Sequence, residues 1–176
     1  MTSDEPFIDP DLYIEEVIAG IPFATRRPPP CGALAFSHMA AIVGAFARNE
    51  WWVLNRLDFH LADDVLVPDI AAWRRLRMPV VGDVPFLDLV PDWVCDVLSP
   101  HNGTLVREHK LPAYQRHGVP YVWIIDPEAR SFEAWAGGEL QQRVTGGGVV
   151  SAPPFGALEI ELYDLWPFPT PPPPQS

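Results

Sequence analysis

The sequence predicts a mixed α/β (α+β) chain: a central mixed β-sheet flanked by helices and finished by a C-terminal β-meander. Three observations carry this. Helical spacing dominates residues 9–49, whereas from Trp51 onward the apolar residues alternate or fall in short runs. Two of those runs, "DWVCDVLSP" (92–100) and "PYVWIID" (120–126), are apolar on both faces, as buried central strands are. A helical stretch lies between them, and short strand-like segments follow at hairpin spacing after Ser131.

In order, "DPDLYIEEVIAG" (9–20) reads as a helix. Leu12, Ile14, Val17 and Ile18 share a rough helical face, Asp residues suit its positive end, and Gly20 suits its stop. A Pro-rich link leads to a second helix over 32–49, rich in Ala and capped by Ser37. The period then changes. Residues 51–64 read as a strand with Val53, Asn55, Leu57, Phe59 and Leu61 on one side, and 65–73 as a second strand after an Asp63–Asp64 turn. Prolines and Gly82 mark 77–92 as a loop before the strand at Trp93. Residues 104–119 are helical in pattern, with Leu105, Val106, Leu111 and Tyr114 facing one way. Pro112 inside that pattern predicts a kink near Lys110 or two short helical pieces.

The bulk numbers bound the rest. One domain over residues 1–166 suits 176 residues, and "PFPTPPPPQS" (167–176) reads as an extended Pro-rich tail. A formal charge of −11 excludes non-specific coating of nucleic acid, which needs many phosphate-neutralising cations. It leaves room for a local basic groove from Arg74, Arg75 and Arg77, or from Arg107, Lys110 and Arg116; solvated faces are the plainer reading of both. Cys31 and Cys95 have no metal-like spacing. The acidic N-terminus lacks a signal-peptide core and no apolar stretch reads as a membrane span, so the reduced cytoplasm is the expected compartment.

Three polar residues stand in suggestive places. Asp69 and Asp96 are embedded in apolar strands, and Lys110 comes from the helix that follows the second. Singly, each has an ordinary structural reading: a strand-end carboxylate satisfied by amides, or a snorkelling lysine. If the strands are neighbours, two carboxylates converge, and buried like charges must share a proton or a cation. A hard divalent ion resolves this and suits phosphodiester hydrolysis, with the lysine stabilising charge beside it.

"VPDI", "VCDVLSP", "HKLPAY" and "GVPYVWIIDPEAR" together resemble the PD-(D/E)xK nuclease superfamily, and most closely its Uma-type family of restriction-endonuclease-like proteins, from about Tyr13 to Tyr163. The resemblance implies a restriction-endonuclease-like fold and a Mg²⁺-dependent endonuclease acting on DNA, with Mn²⁺ as substitute. It places Asp69 and Asp96 as metal ligands and a helical Glu16 as completing the metal site, and the Val97 carbonyl is a candidate extra ligand of the metal so held. It makes Lys110 the catalytic lysine, moved from the strand position held here by Leu98 onto the next helix. His38 and Tyr114 align with site-lining residues. Asp96 stands where the family usually has Glu. A homodimer that cuts both strands follows from the resemblance alone. Two other readings stay open: a non-catalytic member that keeps the fold for binding or assembly, and a metal-dependent phosphohydrolase of a smaller substrate.

Overall fold

The computed structural model describes Asp9 and residues 11–166; the Pro-rich segment 167–176 lies outside the described residues. The helix expected over 9–20 is a β-hairpin instead, formed by Tyr13–Ile18 (β1) and Ile21–Arg26 (β2). Ile14 and Ile18 fit a helical spacing, but they also alternate with Glu15 and Val17, and β-branched and aromatic residues favour the extended form. Ala19 (φ 53°) and Gly20 (φ 76°) both adopt the left-handed conformation that a two-residue hairpin turn demands. Gly20 therefore reverses a strand rather than ending a helix.

The first long helix is Pro30–Ala47 (α1), and proline at its first turn sets its start. Ser37 lies inside it and is not its cap. By length and composition α1 passes as a membrane span, with a mean hydropathy of 1.5, contrary to the expectation from the sequence. Its Ala35, Met39, Val43 and Ala47, at i, i+4 spacing, pack into the core.

The two long strands expected over 51–73 each break in two. Trp51–Asn55 (β3) ends at Arg56, whose φ is 48°; Phe59–Leu61 (β4) and Asp64–Leu66 (β5) then pair with each other. Pro68, with no N–H to donate, separates β5 from Ile70–Arg74 (β6). These breaks send the chain into two sheets. The smaller is antiparallel in the order β2-β1-β5-β4.

The larger sheet adds Trp93–Val97 (β7), Tyr121–Asp126 (β8), Ser131–Ala136 (β9) and Glu139–Thr145 (β10), in the order β10-β9-β8-β7-β6-β3. Only β7 and β8 run parallel, which makes the sheet mixed. Parallel neighbours need a crossover. It consists of Gly103–Leu105 (α2), a π-helical turn over Val106–Lys110, and Leu111–Arg116 (α3). Pro112 cannot donate the backbone bond that a regular α-helix would need there, and the wider π winding sits in the turn before it. Val149–Val150 (β11) pairs with Ile160–Glu161 (β12), and the last predicted strand continues as a 3-10 turn over Leu162–Leu165.

Side chains of the large sheet alternate between two cores. Trp93, Cys95 and Val97 of β7 face α1, whereas Val94 and Leu98 face Leu105, Val106, Leu111 and Tyr114 of the crossover. Period-two alternation puts Asp96 on the crossover side.

Candidate active site

Antiparallel pairing of β6 with β7 sets Ile70 opposite Cys95, which brings Asp69, at the entry to β6, beside Asp96. The Asp69 backbone N–H lies 3.3 Å from Asp96 Oδ1, and Asp69 Oδ2 accepts from the Val97 N–H at 2.8 Å. The crossover then covers them. Lys110 and Tyr114, four residues apart and so on one helical face, both reach Asp96: Lys110 Nζ donates to Oδ1 at 3.0 Å and the Tyr114 hydroxyl to Oδ2 at 2.8 Å. The shorter aspartate therefore makes both contacts.

Glu16 arrives from the other sheet. It stands on strand β1 rather than on the expected helix, and strand alternation buries Glu16 while exposing Glu15. Its Oε1 accepts the Val67 N–H at 2.8 Å and lies 3.0 Å from Lys110 Nζ. Lys110 also donates to the Val67 carbonyl at 2.8 Å. An ammonium has three N–H groups, and here they meet three acceptors: Asp96, Glu16 and the Val67 carbonyl.

The cluster is closed off from solvent. Asp96 is 1% exposed, and Lys110 and Glu16 are 4% and 3% exposed. Burial would lower the Lys110 pKa, but the carboxylates of Asp96, Glu16 and Asp69 outweigh it and raise it above the ordinary lysine value. Lys110 is thus a fixed positive charge at neutral pH. Burial raises the Glu16 carboxyl, against the pull of Lys110. Burial and then the neighbouring Asp96 raise Asp69, opposed by Lys110, the Val97 N–H and Arg56. Burial and Asp96 also push the Tyr114 phenol well up, so it acts as a donor.

The remaining predicted residues separate. The Val97 carbonyl accepts the Asn102 side-chain amide at 3.1 Å, and Asn102 also caps the turn by accepting from the Ser99 N–H. His38 is exposed on α1 and bonds the Asp164 carbonyl, away from the carboxylates. It does not line the site, because the face of α1 that meets the sheet is made by its small and apolar residues. The arginines of both candidate basic grooves have partners within the chain. Arg74 and Arg75 stack on Trp51 and Trp52, Arg77 pairs with Asp92, Arg107 with Glu133 and Arg116 with Asp64.

Sequence reasoning missed Arg56, whose Nε lies 3.3 Å from Asp69 Oδ1. It also missed the Val67 carbonyl, for which a backbone atom leaves no residue-type signal.

A cavity of about 20 Å³ remains among Glu16, Asp69, Asp96, Asn102 and Lys110, roofed by Thr25 and its neighbours before α1. That holds about one water or ion. The donors fit a hard divalent ion in kind, since all are carboxylate or carbonyl oxygens. Among the described residues no three His, Cys, Asp or Glu side chains already stand at metal spacing. The ammonium sits between two of the acids, so an ion enters only if Lys110 yields an acceptor.

A family profile, Uma2, described as "Putative restriction endonuclease", matches residues 6–163. Among solved structures, this chain is similar to a protein of Anabaena variabilis described as a putative nuclease belonging to DUF820. The two share 21% identity with a TM-score of 0.76, over 86% of this chain and 89% of that one, a likeness of fold. No curated protein matches.

Proposed function

Since this chain belongs to the Uma2 family of restriction-endonuclease-like proteins, we propose that it is a Mg²⁺-dependent endonuclease hydrolysing DNA phosphodiester bonds. The single observation behind this reading is the convergence of Asp69, Asp96 and Glu16 on one protonated lysine at the end of the sheet.

Asp69 and Asp96 would hold Mg²⁺, or Mn²⁺ in its place, with the Val97 carbonyl and Glu16 as further ligands. When bound, the ion supplies Lewis-acid stabilisation of phosphoryl charge and acidifies a water. The chain's own groups do the rest. A lysine whose pKa is raised keeps its proton, so Lys110 is not a general base. Once it yields one of its three acceptors, it donates a hydrogen bond that orients the attacking water and offsets charge growing on the phosphoryl oxygens. Tyr114 fixes Asp96 from the other side, and Asn102 holds the Val97 carbonyl in place. A homodimer that cuts both strands belongs to the same proposal.

Plasmid cleavage with Mg²⁺ or Mn²⁺ tests it. Wild type should nick or linearise the plasmid, and Asp69→Ala and Lys110→Ala should not; equal activity in all three removes the reading. A specific observation favours a second one, a non-catalytic member: Lys110 already satisfies the acids without an ion. Calorimetric titration with Mn²⁺ separates them, because the absence of stoichiometric binding supports the non-catalytic protein.

A further inference from the structure

The roof of the carboxylate cavity carries a hydroxyl that bonds to no other described residue. Register sets Ile14 opposite Thr25 and Glu16 opposite Phe23, so these four side chains share one face of the hairpin. Phe23 packs into the core on the crossover side and meets the His109 ring, which marks this face as the inward one. Thr25 is half-buried there and lines the cavity with Glu16, Asp69, Asp96 and Lys110. Valine would fill the same space and suit a strand equally well. Packing and propensity therefore leave the hydroxyl without a reason.

The polar groups around it are otherwise committed. Lys110 directs its three N–H groups at Asp96, Glu16 and the Val67 carbonyl. Both ends of the Asn102 amide are bonded, Asp69 meets Arg56 and the Val97 N–H, and Asp96 meets Lys110 and Tyr114. Glu16 uses Oε1 for both the Val67 N–H and Lys110, which leaves Oε2 without a donor. Two free groups remain at the cavity: Glu16 Oε2 and the Thr25 hydroxyl. Neither is among the buried unpartnered side-chain atoms of the described residues, which are Arg56 Nη2 and Trp93 Nε1, so each faces space that a water can reach. The two residues are diagonal neighbours on one sheet face, a span that a single water bridges. The cavity of about 20 Å³ beside both has room for about one.

We propose that Thr25 and Glu16 hold one water in this cavity, and that it is the water that attacks the phosphate. A water has two protons and two lone pairs. With its protons directed to Glu16 Oε2 and to the Thr25 hydroxyl oxygen, both lone pairs stay open. One meets Lys110 once that group yields an acceptor, and the other faces phosphorus. Oε1 of Glu16 stays with the cluster. This rests on the nuclease reading above and deepens it by naming what aims the nucleophile.

Crystals of wild type, Thr25→Val and Thr25→Ser grown without divalent metal test the site, and plasmid cleavage with Mg²⁺ tests its use. Wild type and Thr25→Ser should show one water within hydrogen-bond distance of residue 25 and Glu16; Thr25→Val should not. Thr25→Val should lower kcat about 10- to 100-fold with KM and duplex affinity unchanged, and Thr25→Ser should restore most of it. A wild type with no water there, or the same water kept in Thr25→Val, overturns the proposal. So does a Thr25→Val enzyme that cuts like wild type, or one whose loss lies in KM. A wild type that holds the water but cuts no DNA overturns the nuclease reading and the attacking role with it, and upholds Thr25 and Glu16 as a hydration site alone.

Discussion

Lys110 and Glu16 form a buried ion pair, 3.0 Å from Nζ to Oε1, that closes the small sheet onto the large one. Glu16 belongs to the hairpin, and Lys110 to the crossover between β7 and β8. The same ammonium holds Asp96 at 3.0 Å, so one side chain balances charge from both sheets. Removing one partner of such a cluster costs far more than the cluster contributes, because it strands the other charges.

Lys110→Met keeps length and apolar stem but deletes that charge. It should lower stability by about 3–5 kcal/mol, read as a fall in the urea midpoint with an unchanged m-value. A loss below about 1 kcal/mol would mean that the carboxylates take up protons and the ammonium is dispensable.

Tyr114→Phe fills the same space and removes only the hydroxyl. Asp96 Oδ2 then loses its donor, with an expected cost of about 1–3 kcal/mol. Cleavage should fall with it, because Asp96 is then held through Oδ1 alone. A variant as stable and as active as wild type would assign Tyr114 to packing.

Asp64 ties the hairpin to the far end of the crossover. It accepts the Ala19 N–H at 2.7 Å and the side chains of Arg116 and His117. Asp64→Ala should speed amide exchange at Ala19 and along β1 before the rest of the chain opens. Uniform acceleration across all strands would show that the hairpin is not an independent unit.

Glu133 gives a pH prediction. Arg107, Trp135 and Arg143 outweigh the effect of burial and hold its carboxyl below the ordinary value of 4.5. The folded state therefore favours the anion. The resulting stability is complete above pH 4.5 and is lost as pH falls through the depressed folded value. Glu133→Gln should be less stable than wild type at neutral pH and lose less on acidification below about pH 5. Glu16 and Asp69 act oppositely. Their carboxyls are raised, so they contribute stability below their ordinary values that disappears as pH rises through the folded ones. Denaturation curves across pH 3–8 separate the two signs.

Much of this arrangement is legible in the residues themselves. Asp69 and Asp96 are visible as charged letters in apolar runs, and Lys110 and Tyr114 as an i, i+4 pair just beyond. Pro112 announces broken winding, which the structure resolves as a π turn. The hairpin is not legible, because Ile14, Val17 and Ile18 satisfy both a helical and an alternating pattern, and only the turn at Ala19–Gly20 decides. That ambiguity put Glu16 on the wrong element. His38 misleads because its helix meets the sheet through other residues. Arg56 is hidden, since its partner Asp69 reaches it only when β3 and β6 pair.

The order of these residues along the chain has a consequence for biosynthesis. Glu16, Asp69 and Asp96 all precede Lys110, so a ribosome releases three acids of the future site before their common counter-ion. Until Lys110 emerges, drawing them together would bury uncompensated charge, and they stay apart in water. A chain halted before residue 110 lacks both this counter-ion and the later strands β8–β10 of the large sheet.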